Sequence, residues 1–212
     1  MLFSFYDLAQ YLNPYTVKGV IHVGAHLCEE TNYYYSLGIK NENIFWIEGN
    51  PETYELIKYR YPNFNIYNGL CTDKSGDKLT FNITKNKNNG NSSDSSSIFK
   101  LGTHLQHHPF VVEEKSIEVT SIRLDDLLAN QQIQNVNMMN IDVQGAELLV
   151  LKGSEKILNQ INYIYVEINR EELYVGCALI EELDSYLKEK GFKRVLTKWT
   201  DFNWGDALYV KI

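Results

Sequence analysis

Five short apolar runs, each closing on a glycine or an acid, constrain what this sequence can fold into. Residues 17–23 (VKGVIHV), 43–48 (NIFWIE) and 64–68 (FNIYN) alternate with helical stretches at 27–37, closed by Gly38, and at 51–60, where Pro51 takes the first helical position. Runs apolar at nearly every residue fit strands covered on both faces, and parallel neighbours need crossovers of about a dozen residues. The β-α-β-α-β order of the first 70 residues predicts a parallel sheet with helices on both sides.

The alternation resumes later. Residues 136–142 (VNMMNID) and 161–168 (INYIYVEI) read as core strands, with helices at 125–130, 146–153, 154–159 and 178–190, the last stopped by Gly191. Residues 192–198 and 207–212 alternate as a terminal antiparallel pair. Between the halves, strands at 78–84 and 116–121 flank residues 86–97 (NKNNGNSSDSSS), too polar to bury a core and read as a mobile loop of the kind that forms lids. Ser4 caps a short N-terminal helix that Pro14 helps to end. The expectation is one doubly wound sheet in one domain over residues 1–212: an N-terminal helix at 1–16, a ligand-binding core at 17–168, and the last helix with its closing hairpin at 169–212.

The 20 Lys and Arg stand against 27 Asp and Glu, a net charge of −7 with no basic run, which disfavours a nucleic-acid surface and favours small or neutral partners. Cys28, Cys71 and Cys177 are too few and too scattered for a disulfide framework or a paired metal signature. No basic leader precedes an apolar stretch, and no window nears the roughly 18 apolar residues of a membrane span. A cytoplasmic location with reduced thiols is expected. Asn-x-Ser/Thr matches at Asn82 and Asn91 read as chance in an Asn-rich chain.

Ligands of open α/β sheets bind at the carboxyl ends of the strands. Those ends carry Gly24-Ala25-His26, Glu48-Gly49-Asn50, Gly69-Leu70-Cys71, Asp142 and Glu167. A glycine after the first strand admits close backbone approach, and an acid ending the second can accept both hydroxyls of a ribose. Together they suggest an adenosine cofactor, although singly each is as well read as a tight turn and a solvated acid. No further glycine follows Gly24 in the G-x-G-x-x-G spacing of a dinucleotide site, and GxxxxGK[ST] is absent. S-adenosylmethionine, which has no phosphates, fits better.

The segments VGAHLCEET (23–31), WIEGNPE (46–52), Leu124-Asp125, IDVQGAELLVLKG (141–153) and YVEI (165–168) resemble the FkbM family of S-adenosylmethionine-dependent methyltransferases. The resemblance covers residues 19–168 and is carried mainly by the IDVQGAE block. It implies a class I methyltransferase-like, Rossmann-like fold with a mostly parallel seven-stranded sheet and a terminal antiparallel hairpin, and O-methylation of a sugar or glycan hydroxyl. By the same resemblance Gly24, Ala25 and Thr31 face the methionine part of the cofactor, Glu48 the ribose, Gly69 and Leu70 the adenine, and Asp142 the junction with the acceptor. His26, Gly49, Asn50 and Gln144 join the cofactor-binding set. The chain departs from the family pattern where it has His22 instead of an acid, Cys28 instead of a glycine, and Gln144 instead of the acid of D-x-E-G-x-E.

A sugar hydroxyl is a poor nucleophile near neutral pH, so a base or a metal must lower its pKa. Asp142 leads the candidates, with orienting the cofactor or capping the next helix as its equal alternative, followed by Glu167 and His104. Glu147 reads as bonding backbone amides. His104, His107 and His108 could form a zinc set, but His104 and His108 have the i, i+4 spacing only in a helix and Pro109 ends any helix there, so a solvated or substrate-lining loop is preferred. A divalent metal on Asp142 and Glu167 remains open beside metal-free catalysis. Tyr33 to Tyr35, Trp199, Phe202 and Trp204 are candidate stacking platforms, and Arg170, Glu171, Glu172 and Tyr174 a candidate acceptor-facing set. The competing readings are a nicotinamide-dependent oxidoreductase and a non-catalytic binding module.

Overall fold

The computed structural model of the protein describes residues 1–12, 16–88, 92–131, 133 and 135–212, and of Phe5 the backbone alone. The expected helix end at Pro14 and the Asn91 sequon lie outside the described residues. Strand β1 (Val20–Val23) pairs in parallel with β2 (Ile44–Glu48) on one side and with β7 (Met138–Ile141) on the other. Outside them lie β3 (Asn65–Asn68) beside β2, and β8 (Tyr163–Asn169) beside β7. The closing strands β9 (Phe192–Trp199) and β10 (Trp204–Lys211) complete a seven-stranded sheet ordered β3-β2-β1-β7-β8-β10-β9, with β10 antiparallel to both neighbours. The class expected from the sequence is borne out.

Every residue of β1, β2 and β7 is buried, as strands covered on both faces require. Alternate residues face different apolar layers. Ile21, Val23, Ile47, Met139 and Ile141 pack on one side with Leu183 and Leu187 of α7 (Ile180–Glu189). Val20, Ile44, Trp46 and Met138 pack on the other with Tyr34 of α2 (Thr31–Ser36), Ile57 of α3 (Pro51–Arg60) and Leu8 of α1 (Phe5–Ala9). Ser4 caps α1 through the Asp7 amide as expected. His22, the polar residue of β1, sits between Trp46 and Tyr34; the Tyr34 hydroxyl meets its Nδ1 at 2.9 Å, Asn140 donates to that hydroxyl at 2.7 Å, and burial holds the ring down at about 4, uncharged. Tyr34 is therefore core, not a stacking platform.

Two local expectations are corrected. Helix α2 starts four residues later than the apolar spacing suggests, because His26 and Cys28 take left-handed conformations (φ 41° and 59°) and the Glu29 carboxylate accepts from Leu27 N, folding residues 26–29 into a turn. The strands do not all join one sheet: β5 (Lys78–Asn86) and β6 (Val111–Ile122) form an antiparallel ribbon, extended by β4 (Leu70–Cys71), over a separate apolar cluster of Leu70, Phe81 and Ile83. Strand β6 reaches five residues further back than expected because its charges are solvated and cross-paired, Lys85 with Glu114 and Lys78 with Glu118, so they carry no apolar signal. Among the described residues no helix is long and apolar enough to cross a membrane, and all three cysteines are buried and unpaired.

Gly24 joins fold to site. Its φ is +91°, and a Cβ there would stand 1.7 Å from the Asp142 carbonyl oxygen. Gly24→Ala is expected to cost roughly 3 kcal/mol, lowering Tm by about 6–12 °C, through left-handed strain and overpacking together. Gly38→Ala is the control: at φ +78° its Cβ meets nothing within 4 Å, so only the strain of about 1–2 kcal/mol applies. Equal losses of Tm in the two variants would refute the close-approach argument.

Candidate active site

A cavity of about 340 Å³ opens at the carboxyl ends of β1 and β2, beside the switch in strand order between β1 and β7. It is bordered by Gly24, Ala25 and His26 after β1, Glu48, Gly49 and Asn50 at the end of β2, Gly69 and Leu70 at the turn into β4, and Asp142 and Gln144 after β7. Glu48 organises this end: one carboxylate oxygen accepts from His26 N at 2.8 Å and the other from Asn50 N at 2.7 Å. Burial pushes its carboxyl up to about 7 against the pull of those two amides. Asn50 in turn caps α3 through Glu52 N. Leu70, Phe81 and Ile98 supply an apolar wall. The acidic lining side chains are Glu29, Glu30, Glu48, Asp94 and Asp142; His26 meets Glu29 at 2.7 Å, and among the described residues no Lys or Arg lines the cavity. Such a wall suits a ligand with cationic groups, a diol and a flat apolar ring, and repels a pyrophosphate.

A second cavity, of about 290 Å³, adjoins the first, and Asp94, Asp142 and Gln144 border both. Its floor comes from sheet register: Glu167 and Asn169 of β8 stand opposite Asp206 and Trp204 of β10, two residues apart on each strand and so on one face. Gln144, at φ 57°, ties the cavities together. Its Nε2 donates to Asp142 Oδ1 at 2.6 Å and to Glu167 Oε2 at 3.1 Å, while its Oε1 accepts from the Tyr174 hydroxyl at 2.5 Å. Burial raises the Asp142 carboxyl above its ordinary value; burial, then the charges of Asp142, Glu147 and Asp206, pushes Glu167 well above its own. Glu147, in the first turn of α6 (Glu147–Lys152), accepts from Val143 N at 3.1 Å and Gly145 N at 3.0 Å and so holds the loop that presents Gln144.

The structure brings most of the expected residues together, with exceptions. Thr31 does not line the cavity; its hydroxyl donates to the Cys28 carbonyl at 2.6 Å, at the start of α2. His104 lines the second cavity, but burial and then His108 hold its ring down at about 4, too weak a base for neutral pH. The three histidines do not all converge: the His104 and His108 rings lie 4.9 Å apart, but His107 turns away to Glu171 at 2.8 Å. Among the described residues no group of three or more His, Cys, Asp or Glu could hold a metal, and the amide of Gln144 bridges the Asp142 and Glu167 carboxylates where a shared cation would sit. Trp199 carries the Arg170 guanidinium 3.9 Å from its ring centroid, whereas Trp204 packs on Leu173, Tyr174 and Cys177 and also lines the second cavity.

Residues 92–97 of the expected lid loop border the site. Ser92, Ser93, Asp94 and Ser96 line the first cavity, and the buried Ser97 donates to the Gln144 carbonyl at 2.6 Å. Asn169 and Asp206 were missed by sequence reasoning, though each left a signal: a polar residue two positions after Glu167, and an acid inside an apolar terminal strand.

Sheet order and cavity position together define the class I methyltransferase fold. The family model for the Methyltransferase FkbM domain matches residues 22–194, and the chain belongs to that family. It is 34% identical over 82 residues to the 2-O-methyltransferase NoeI of Sinorhizobium fredii, covering 39% of this chain and 34% of that one. To the hexuronic acid methyltransferase AglP of Haloferax volcanii it is 26% identical over 151 residues, 70% of this chain and 53% of that one. The chain thus spans about a third to a half of the length of the curated relatives it matches. Among solved structures it is similar to Methyltransferase FkbM from Methylobacillus flagellatus, with a TM-score of 0.57, 14% identity, and coverage of 92% of this chain and 44% of that one. It is also similar to TrmK of M. capricolum, solved with S-adenosyl-homocysteine, with a TM-score of 0.51, 9% identity, and coverage of 100% and 69%. At these identities the structural likeness is one of fold.

Proposed function

We propose that the protein is an S-adenosylmethionine-dependent O-methyltransferase acting on a hydroxyl of a sugar or glycan. The observation that carries this reading is the pair of adjoining cavities, one acid-lined without a lysine or arginine and one polar, meeting at Asp142 and Gln144. The first suits S-adenosylmethionine, whose sulfonium and ammonium are cationic, and its acids and apolar wall fit the groups assigned from the family resemblance: Glu48 for the ribose hydroxyls, Leu70 for the adenine face. When bound, that cofactor supplies an electrophilic methyl group. The name of AglP, a hexuronic acid methyltransferase, supports the acceptor class, and that of NoeI, a 2-O-methyltransferase, supports transfer to oxygen.

The protein's own part is positioning and proton removal. Asp142 accepts the acceptor hydroxyl proton on a carboxylate oxygen. Burial raises both this carboxyl and that of Glu167, and of the two Asp142 is the one that borders both cavities, where methyl group and acceptor would meet. Gln144 keeps both carboxyls fixed through its amide hydrogens. A nicotinamide cofactor would bring a pyrophosphate against a wall whose acids include Glu29 and Asp94.

The test incubates the protein with methyl-labelled cofactor and a panel of glycans. Label incorporated as an ether resists mild alkali, whereas a methyl ester on a uronate is released by it. Failure of S-adenosylhomocysteine to bind at millimolar concentration would sink the cofactor assignment, and alkali-labile label would sink the hydroxyl acceptor. Binding without transfer to any glycan would favour the non-catalytic module.

A further inference from the structure

Six buried side-chain atoms among the described residues have no hydrogen-bond partner within the protein: the Tyr33 hydroxyl, Trp46 Nε1, Glu147 Oε2, His104 Nδ1 and both amide atoms of Asn169. Tyr33, Trp46 and Glu147 line neither cavity, whereas Asn169 and His104 both line the second. Asn169 is only 1% exposed, so its amide has lost its water without gaining any partner in return. Its position follows from strand geometry. It is the last residue of β8, on the same face as Glu167 and opposite Trp204, with the Tyr174 and Trp204 rings beside it in the cavity wall.

An amide with a free donor and a free acceptor matches two adjacent hydroxyls, one accepting from Nδ2 and the other donating to Oδ1. The charge of the wall decides what else the ligand can carry. The acidic lining side chains are Asp94, Asp142, Glu167 and Asp206, and among the described residues no Lys or Arg lines this cavity; the His104 and His108 rings are held below their ordinary range by burial, and the Met1 amino group lies 4.0 Å from Glu30. A carboxylate on the ligand would be desolvated beside Asp94 and Asp142, with the Met1 amino group, already near Glu30, as its cationic neighbour. Resting on the methyl-transfer reading of the adjoining cavity, we propose that Asn169, with His104, forms the subsite that seats a neutral polyhydroxylated sugar by an adjacent hydroxyl pair and turns away a uronate.

The experiment titrates methyl glycosides of glucose, mannose, galactose and fucose, and methyl glucuronide, into the protein by saturation-transfer NMR, with and without S-adenosylhomocysteine. Asn169→Ala and the near-isosteric Asn169→Leu are compared with the wild type. At least one neutral glycoside is expected to bind, with the glucuronide at least about 10-fold weaker. Both variants are expected to bind the neutral glycoside about 10- to 100-fold more weakly. Their Tm and their affinity for S-adenosylhomocysteine stay at the wild-type level, because the Asn169 side chain makes no hydrogen bond within the fold. Glucuronide binding as tight as the neutral sugar, variants that bind it unimpaired, or a wild type that binds no glycoside each overturns the proposal. Glycoside binding that depends on Asn169 in a protein that does not bind S-adenosylhomocysteine would instead overturn the methyl-transfer reading alone.

Discussion

Asp142→Asn is expected to lower methyl transfer by about 10²- to 10⁴-fold, the range a positioned general base contributes. The substitution keeps an oxygen for Gln144 Nε2, so the arrangement of the loop after β7 persists while the proton acceptor is gone. Affinity for S-adenosylhomocysteine, which lacks the sulfonium charge, should change little. The pH profile separates base from scaffold. Burial raises the Asp142 carboxyl, so wild-type activity climbs from acid toward neutral pH as that group ionises, and the asparagine variant loses this rise. A loss below about 10-fold with the profile unchanged would reduce Asp142 to a residue that orients the cofactor.

The second large effect is expected at Glu48. Glu48→Ala removes the acceptor for His26 N and Asn50 N as well as the ribose contacts, and charge-assisted bonds of this kind are worth roughly 1.5–3 kcal/mol each. Cofactor-product affinity should fall by about 10²-fold or more in calorimetry. The sign of the pH dependence follows from the carboxyl being raised from 4.5 to about 7 on folding. The folded chain then holds a proton that the unfolded chain has released, so this group's contribution to unfolding free energy falls as pH climbs from about 4.5 to about 7 and is level above. Binding that uses the ionised carboxylate runs the other way and strengthens as pH passes 7. Glu48→Gln should remove both trends, seen as the wild-type-minus-variant difference in thermal denaturation and in titrations at pH 6 and pH 8. Tighter binding at the lower pH would contradict the ribose role.

How much of this was legible in the sequence depended on the range of the forces involved. The order of strands and helices could be read because continuous apolar runs and turn residues are local signals; β1, β2 and β7 fall within their expected runs, and β8 overruns its own by one residue, Asn169. The polar ribbon of β5 and β6 was read as two shorter strands of one sheet, since cross-strand charge pairs leave no periodicity to find. Within the site, Gly24, Glu48 and Asp142 stood out because strand ends in such sheets are where ligands bind, whereas Thr31 was misplaced once a left-handed turn delayed its helix.

From the sequence alone came the α/β class, the strand ends that carry chemistry and the absence of a phosphate grip, because each rests on neighbours a few residues apart. Only the tertiary structure decided that Asn169 and Asp206 share a wall with Asp142, that Gln144 bridges two carboxyls, and that His104 is held uncharged. Those features depend on strand register and burial between segments that are distant in the chain. A side chain's protonation and its unmet hydrogen bonds are properties of its surroundings, which no local pattern records.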